Sequence, residues 1–138
     1  MKKSLIGTSV EALVIAKLTA LDCEVFLPFG HSGEIDFILV TPNDQLKRIQ
    51  VKKVSIHKRH QYRARTIRQS GNGGHKPYKN IDFFIFYTDD KFWIVPFMEC
   101  SSQHSYNLNS RDCFLGAWDL ILGPDREEKI GSMLPLLQ

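Results

Sequence analysis

The run Leu46–Ile56 reads as a β-strand, and strand alternation sorts its residues onto two faces. Gln50 and Lys52 share one face, while Ile49, Val51 and Lys53 share the other. One side of the strand therefore offers an amide oxygen beside an ammonium group, and the other side is mostly apolar. Lys52 and Lys53 are adjacent in sequence but opposed in space, so only Lys52 stands with Gln50.

The neighbouring stretches give that strand partners. Apolar residues at Leu5, Ile6, Val10, Leu13, Val14, Leu18 and Leu21 keep a period near 3.6 and predict a helix over Lys3–Leu21. If the helix starts at Thr8, then Thr8-Ser9-Val10-Glu11 is a capping box and Glu11 reaches back to the helix end. If it starts near Ser4, Glu11 is an interior residue that needs another reason to be there. Cys23–Phe29 and Glu34–Thr41 read as strands, and Pro42–Gln45 as a turn that makes a hairpin with Leu46–Ile56. The continuous apolar run Phe37–Val40 predicts burial on both faces, with Asp36 at its start.

Ile81–Thr88 and Lys91–Phe97 form a second hairpin across Asp89-Asp90. Their aromatics, Phe83, Phe84, Phe86, Phe92 and Trp93, are expected to pack rather than to stack on bases. The stretch 57–79 has no clear period, and with Ser70–Gly74 inside it is expected to be a flexible loop that orders on binding. Ser101–Ser110 reads as a loop, Phe114–Leu122 as a short helix or strand, and Pro124–Leu137 as a last helix. This order predicts an α/β domain, with a central mixed sheet flanked by helices.

With 138 residues, 43% of them hydrophobic, the chain fits one domain with one core. It has no 18-residue apolar run to span a membrane. Thr8, Ser9, Glu11 and Lys17 interrupt what would be a signal peptide's apolar core, so a cytoplasmic location is expected. Three irregularly spaced cysteines are not a disulfide framework. Cys100, His104 and Cys113 lack the fourth ligand of a structural zinc site.

The net charge of +3 conceals a segregation. Gln45–Ile81 holds 11 of the 18 Lys/Arg and no acid at all, which leaves 7 basic and 15 acidic residues elsewhere. A field concentrated in this way selects a polyanion as partner. Within it, Lys58, Arg59, Arg63, Arg65, Arg68, His75, Lys76 and Lys79 are the candidates for DNA contact, to phosphate or to base edges. Gln61 and Asn72 are weaker ones.

Phosphodiester hydrolysis needs an activated water and neutralisation of developing negative charge, both of which a divalent metal supplies. Mg²⁺ takes oxygen ligands and needs few of them from protein. Asp36, Glu11, the Gln50 amide oxygen and the Val51 carbonyl are the candidate ligands. Lys52 is the candidate for positioning the water or stabilising the transition state.

Gly7-Thr8-Ser9-Val10-Glu11, Glu34-Ile35-Asp36 and Arg48-Ile49-Gln50-Val51-Lys52 resemble the PD-(D/E)XK nuclease superfamily. Gly74–Tyr78, Ile81–Phe84 and Phe92–Phe97 are similar to its subgroup of bacterial group I intron-encoded homing endonucleases, over roughly residues 4–109. The resemblance implies a restriction-endonuclease-like core in a single domain, 1–138. It implies Glu11, Asp36, Gln50 and Lys52 as the catalytic set, and Mg²⁺, with Mn²⁺ as substitute, as cofactor. It also implies site-specific cleavage of double-stranded DNA by a homo-oligomer, dimer or tetramer, in the bacterial nucleoid. Residues 98–138 would form an extension serving oligomer contact, DNA contact or plain core packing. Gln50 departs from the usual acidic residue, which removes one negative ligand. A Holliday junction resolvase, a non-catalytic DNA-binding module and an RNA-binding protein are the competing readings.

Overall fold

A computed structural model describes residues 3–30, 33–57, 61–69, 75–100 and 105–123. Helix α1 spans Lys3–Ala20. Val10, Val14 and Leu18 recur every fourth residue and are buried, so they form the seam that meets the sheet. Leu5 and Leu13 are 55% and 49% exposed, so the buried stripe is narrower than the sequence period predicts. Because the helix begins ahead of Thr8, the capping-box reading fails. Glu11 lies inside the helix, one position round from Val10, flanking the seam.

Strands follow as β1 (Glu24–Phe26), β2 (Phe37–Val40), β3 (Leu46–Lys53), β4 (Ser55–His57), β5 (Gln61–Arg65), β6 (Ile67–Gln69), β7 (His75–Pro77), β8 (Phe83–Thr88) and β9 (Lys91–Pro96). Then come the short helix α2 (Phe97–Cys100), β10 (Ser105–Asn107), a 3₁₀ turn at Asp112–Phe114 and α3 (Asp119–Leu122). A five-stranded mixed sheet has the order β1-β2-β3-β8-β9, with β3 and β8 parallel and the other neighbours antiparallel. A three-stranded sheet has the order β10-β5-β4, and β6 pairs with β7.

Alternation along β3 and β8 builds two cores. Ile49, Val51, Phe83 and Ile85 pack with Val10, Val14, Leu18 and Ile121 on the face that α1 and α3 cover. Phe84, Phe86, Trp93 and Val95 pack with Ala64, Tyr78, Tyr106 and Leu108 on the other face. Helices α1 and α3 thus cover one face, and the small sheet β10-β5-β4 with α2 covers the other. Phe83, Phe84, Phe86 and Trp93 are core residues, as expected. Asp89 and Asp90 both adopt positive φ, 48° and 60°, the backbone of a type I′ hairpin turn.

Several expectations need correction. β1 and β2 are shorter than Cys23–Phe29 and Glu34–Thr41, and Asp36 lies ahead of its strand. Pairing of β2 ends at Phe37 opposite Ile49, and Gly33, at φ 80°, turns the chain just before. β2 is buried on one face only: Phe37 and Leu39 are enclosed, whereas Ile38 and Val40 are half-buried. The cover on their face packs on β8 and β9 instead.

The long third strand divides at Val54, whose N–H donates to Tyr87 O (2.9 Å) before the chain leaves for another sheet as β4. The stretch 57–79, expected as a flexible loop, contributes strands β5 to β7, and β10 lies in the stretch expected as a loop. A parallel pair cannot be joined by a tight turn and needs a long crossover. Here the crossover from β3 to β8 takes up the acid-free segment beyond Lys53. The predicted helix Pro124–Leu137 lies outside the described residues, as does His104 of the rejected zinc set. Cys23, Cys100 and Cys113 are free thiols. Among the described residues no helix is long and apolar enough to cross a membrane.

Within the extension 98–138, residues 105–122 serve the core. Tyr106, Leu108 and Ile121 are fully enclosed, and Leu115 bridges to Trp93. Ile121→Ala should therefore lower the urea-unfolding free energy by about 2–5 kcal/mol, the usual range for a large buried aliphatic side chain. Leu120→Ser, one residue away and 43% exposed, should stay within about 0.5 kcal/mol of the parent.

Candidate active site

The site starts where β2 and β3 separate. Asp36 N–H donates to Ile49 O (2.9 Å), but the backbone then bends away. Val51 N–H donates to the Asp36 side chain instead, reaching Oδ2 at 2.7 Å. This short, charge-assisted bond pins the carboxylate to β3. In a strand, a residue's N–H and C=O leave along the same edge, so the Val51 carbonyl also faces the Asp36 side. It accepts a long bond from Gln50 Nε2, 3.4 Å.

Glu11 arrives from α1 and shares a side-chain hydrogen bond with Asp36. Burial pushes the Asp36 carboxyl up to about 6; the Val51 N–H opposes the rise, and the Glu11 charge adds to it. Burial likewise raises Glu11. Each carboxyl therefore ionises less readily than a free one. Gln50 is 8% exposed, and among the described residues its Oε1 has no donor. Two carboxylates, an orphaned amide oxygen and a backbone carbonyl make an all-oxygen donor set, which fits a hard divalent cation. Among the described residues no cluster of three or more His, Cys, Asp or Glu exists, so any cation here meets two acids rather than three.

Lys52 follows Gln50 on the same face, opposite Phe86 of β8. Burial first and the Arg65 charge second lower its ammonium to about 8, against the opposing pull of Asp36. Its Nζ lies 4.6 Å from the centroid of the Tyr78 ring. Lys53 points the other way and is exposed. Glu11, Asp36, Gln50, Val51 and Lys52 thus converge from α1, the start of β2 and the middle of β3.

The basic candidates divide. Arg63 and Arg65 are exposed on one face of β5, while Ala64 between them is buried. Arg65 is the one whose charge reaches Lys52. Lys76 on β7 and Lys79 beyond it are exposed. Arg68 pairs with Lys76, and Gln69 with His75, in the β6–β7 register; the Arg68 and His75 side chains, like Lys58 and Arg59 entirely, lie outside the described residues. Arg48 is withdrawn from the field. Asp82 takes its Nε at 3.1 Å, its Nη2 at 3.0 Å and its backbone N–H at 2.8 Å. Sequence reasoning left two partners unassigned, Asp82 for Arg48 and Tyr78 for Lys52. The parallel register of β3 with β8 is the signal that would have found the first, because it sets 82 beside 48.

The carboxyl pair has a consequence for stability. Asp36 holds its proton more tightly when folded, at about 6 against an ordinary 3.8. Its contribution is therefore complete below about pH 4 and is lost as pH rises through 6. Asn mimics the protonated acid at all pH values. In chelator, Asp36→Asn should be more stable than the parent by about 1–3 kcal/mol at pH 7, with the gap closing by pH 4, as read by urea unfolding.

Comparison with known proteins bears on this arrangement. A family model described as PD-(D/E)XK endonuclease matches residues 1–112. Among solved structures, the bacterial homing endonuclease I-Ssp6803I is similar, with a TM-score of 0.75 and 21% identity over 88% of this chain and 94% of that one. That likeness is one of fold. No curated protein matches the sequence. With the helix, the strand pair and the crossover all inside the matched region, this chain belongs to the PD-(D/E)XK endonuclease family.

Proposed function

We propose that this protein is a site-specific, double-stranded DNA endonuclease of the homing type that uses a divalent metal ion. The observation that carries the reading is the meeting of Glu11, Asp36 and the donor-less Gln50 Oε1 with Lys52, at the root of the basic crossover. Asp36, Glu11, Gln50 and the Val51 carbonyl would hold Mg²⁺, with Mn²⁺ as substitute. When bound, the ion supplies a hydroxide-like water at neutral pH and neutralises charge on the phosphate.

The protein's own groups do the rest. The Val51 N–H keeps the Asp36 carboxylate aimed into the site. Lys52, charged at neutral pH, donates to the attacking water or to the negative oxygens of the transition state. Gln50 lowers the negative charge of the ligand set without abolishing it. Arg63, Arg65, Lys76 and Lys79, with Lys58, Arg59, Arg68 and His75, bind DNA backbone and groove. Cutting both strands takes two active sites, so the working unit is a homo-oligomer, dimer or tetramer, with a partly palindromic target. Its place of action is the bacterial nucleoid.

The test is to incubate the protein with Mg²⁺ and a randomised duplex library and sequence the cut ends. Discrete, sequence-defined ends are expected. Cutting confined to four-way junctions would instead mark a resolvase, and binding without cutting would mark a DNA-binding module. Lys52→Ala and Asp36→Ala should each slow single-turnover cleavage by roughly a hundredfold or more, with duplex affinity preserved. Gln50→Glu should reduce the Mg²⁺ concentration needed for half-maximal rate.

A further inference from the structure

We infer that Tyr78 is a positioning residue for the Lys52 ammonium, holding Nζ against its ring face; this rests on the role proposed above for Lys52. Lysine ends in a point charge on a flexible four-carbon stem, so its head is only as well placed as its contacts make it. Among the described residues no ion pair holds Lys52. The group that Nζ does meet is the Tyr78 ring, at 4.6 Å from the centroid, inside the range of a cation–π contact.

The ring is itself fixed. Tyr78 is 7% exposed and stands edge-on to Phe84, with centroids 5.3 Å apart and planes at 85°. Phe84 stacks on Phe86 (5.3 Å, 13°) and leans on Phe97 (6.0 Å, 38°). In the parallel register, Phe84 faces Gln50 and Phe86 faces Lys52. The line of rings therefore returns to the strand pair that carries the site, and the ammonium inherits the precision of the sheet.

An aromatic partner suits this position better than a carboxylate would. A carboxylate would occupy the ammonium's hydrogen-bond donors and cancel its charge. A ring face attracts the charge while leaving the N–H donors available for water and phosphate. The phenol hydroxyl takes no part in that contact.

The experiment replaces Tyr78 in the full chain with phenylalanine and then with mono-, di- and trifluorophenylalanine. These rings keep their shape while the negative face weakens. Single-turnover cleavage of a duplex recovered from the library is measured for Tyr78→Phe as the reference, which keeps the ring face without the hydroxyl. It should then fall stepwise, roughly threefold to thirtyfold by the trifluoro ring, with duplex affinity and melting midpoint unchanged. A purely packing role would leave the rate flat across the series and would overturn the inference. A second readout needs no DNA: the Lys52 side-chain methylene protons should show an upfield ring-current shift in the parent that disappears in Tyr78→Leu. Ordinary Lys52 shifts in the parent would also overturn it. Full cleavage by Lys52→Ala would instead sink the role proposed for Lys52, whatever the shifts show.

Discussion

Val51 N–H and Asp36 Oδ2 lie 2.7 Å apart, and that bond joins the scaffold to the chemistry. It forms because β2 stops pairing with β3 before its backbone reaches Val51. The next N–H of β3 would otherwise be left without an acceptor in a partly buried place, which is costly. A carboxylate supplies the acceptor, and in doing so it is held with no freedom to rotate away. Phe37, the following residue, is fully enclosed and anchors the bend from the core side. The same two strands thus terminate a hairpin and aim a carboxylate, and neither task is separable from the other.

The large apolar elements were legible in sequence because their patterns run for several periods. α1, β3 and the β8–β9 hairpin all emerge where periodicity places them. The segment 57–79 was not legible as strand. Its pieces are three to five residues long, and Arg63-Ala64-Arg65 shows the period-2 signature for a single cycle. Such strands form because a sheet is there to receive them, and receiving partners such as Tyr106 of β10 are forty residues away in sequence. Of the candidate site, residue types and faces were readable, including the separation of Lys52 from Lys53. Glu11 was ambiguous because Thr8 allowed a cap; the actual helix start removes the ambiguity. The Arg48–Asp82 fork and the Tyr78 contact depend on parallel register and on packing, which spacing does not encode.

Electrostatically the fold keeps two opposed environments in contact. The carboxyl pair is half-buried, whereas exposed arginines stand on the neighbouring sheet. Lys52 sits at their boundary, drawn toward Asp36 and repelled by Arg65. Arg48 might have competed there, but Asp82 neutralises it through three hydrogen bonds, two of them a fork onto the guanidinium. Positive charge near the site is thereby limited to groups that face outward or toward the ligands.

The crossover between β3 and β8 has an evolutionary meaning. Strand register in the central sheet is set by the β3–β8 ladder and by the two cores, the second of which takes Val54, Ala64, Tyr78 and Ile81 from the chain that connects them. Lengthening a surface connection costs little in closure entropy. The connection carries seven of the 18 Lys/Arg, and its exposed positions, Arg63 and Arg65 among them, can be rewritten while its buried Ala64 and Tyr78 stay fixed in the second core. A protein organised in this way can vary one face of a continuous piece of chain while the other face of the same piece keeps its hold on the sheet.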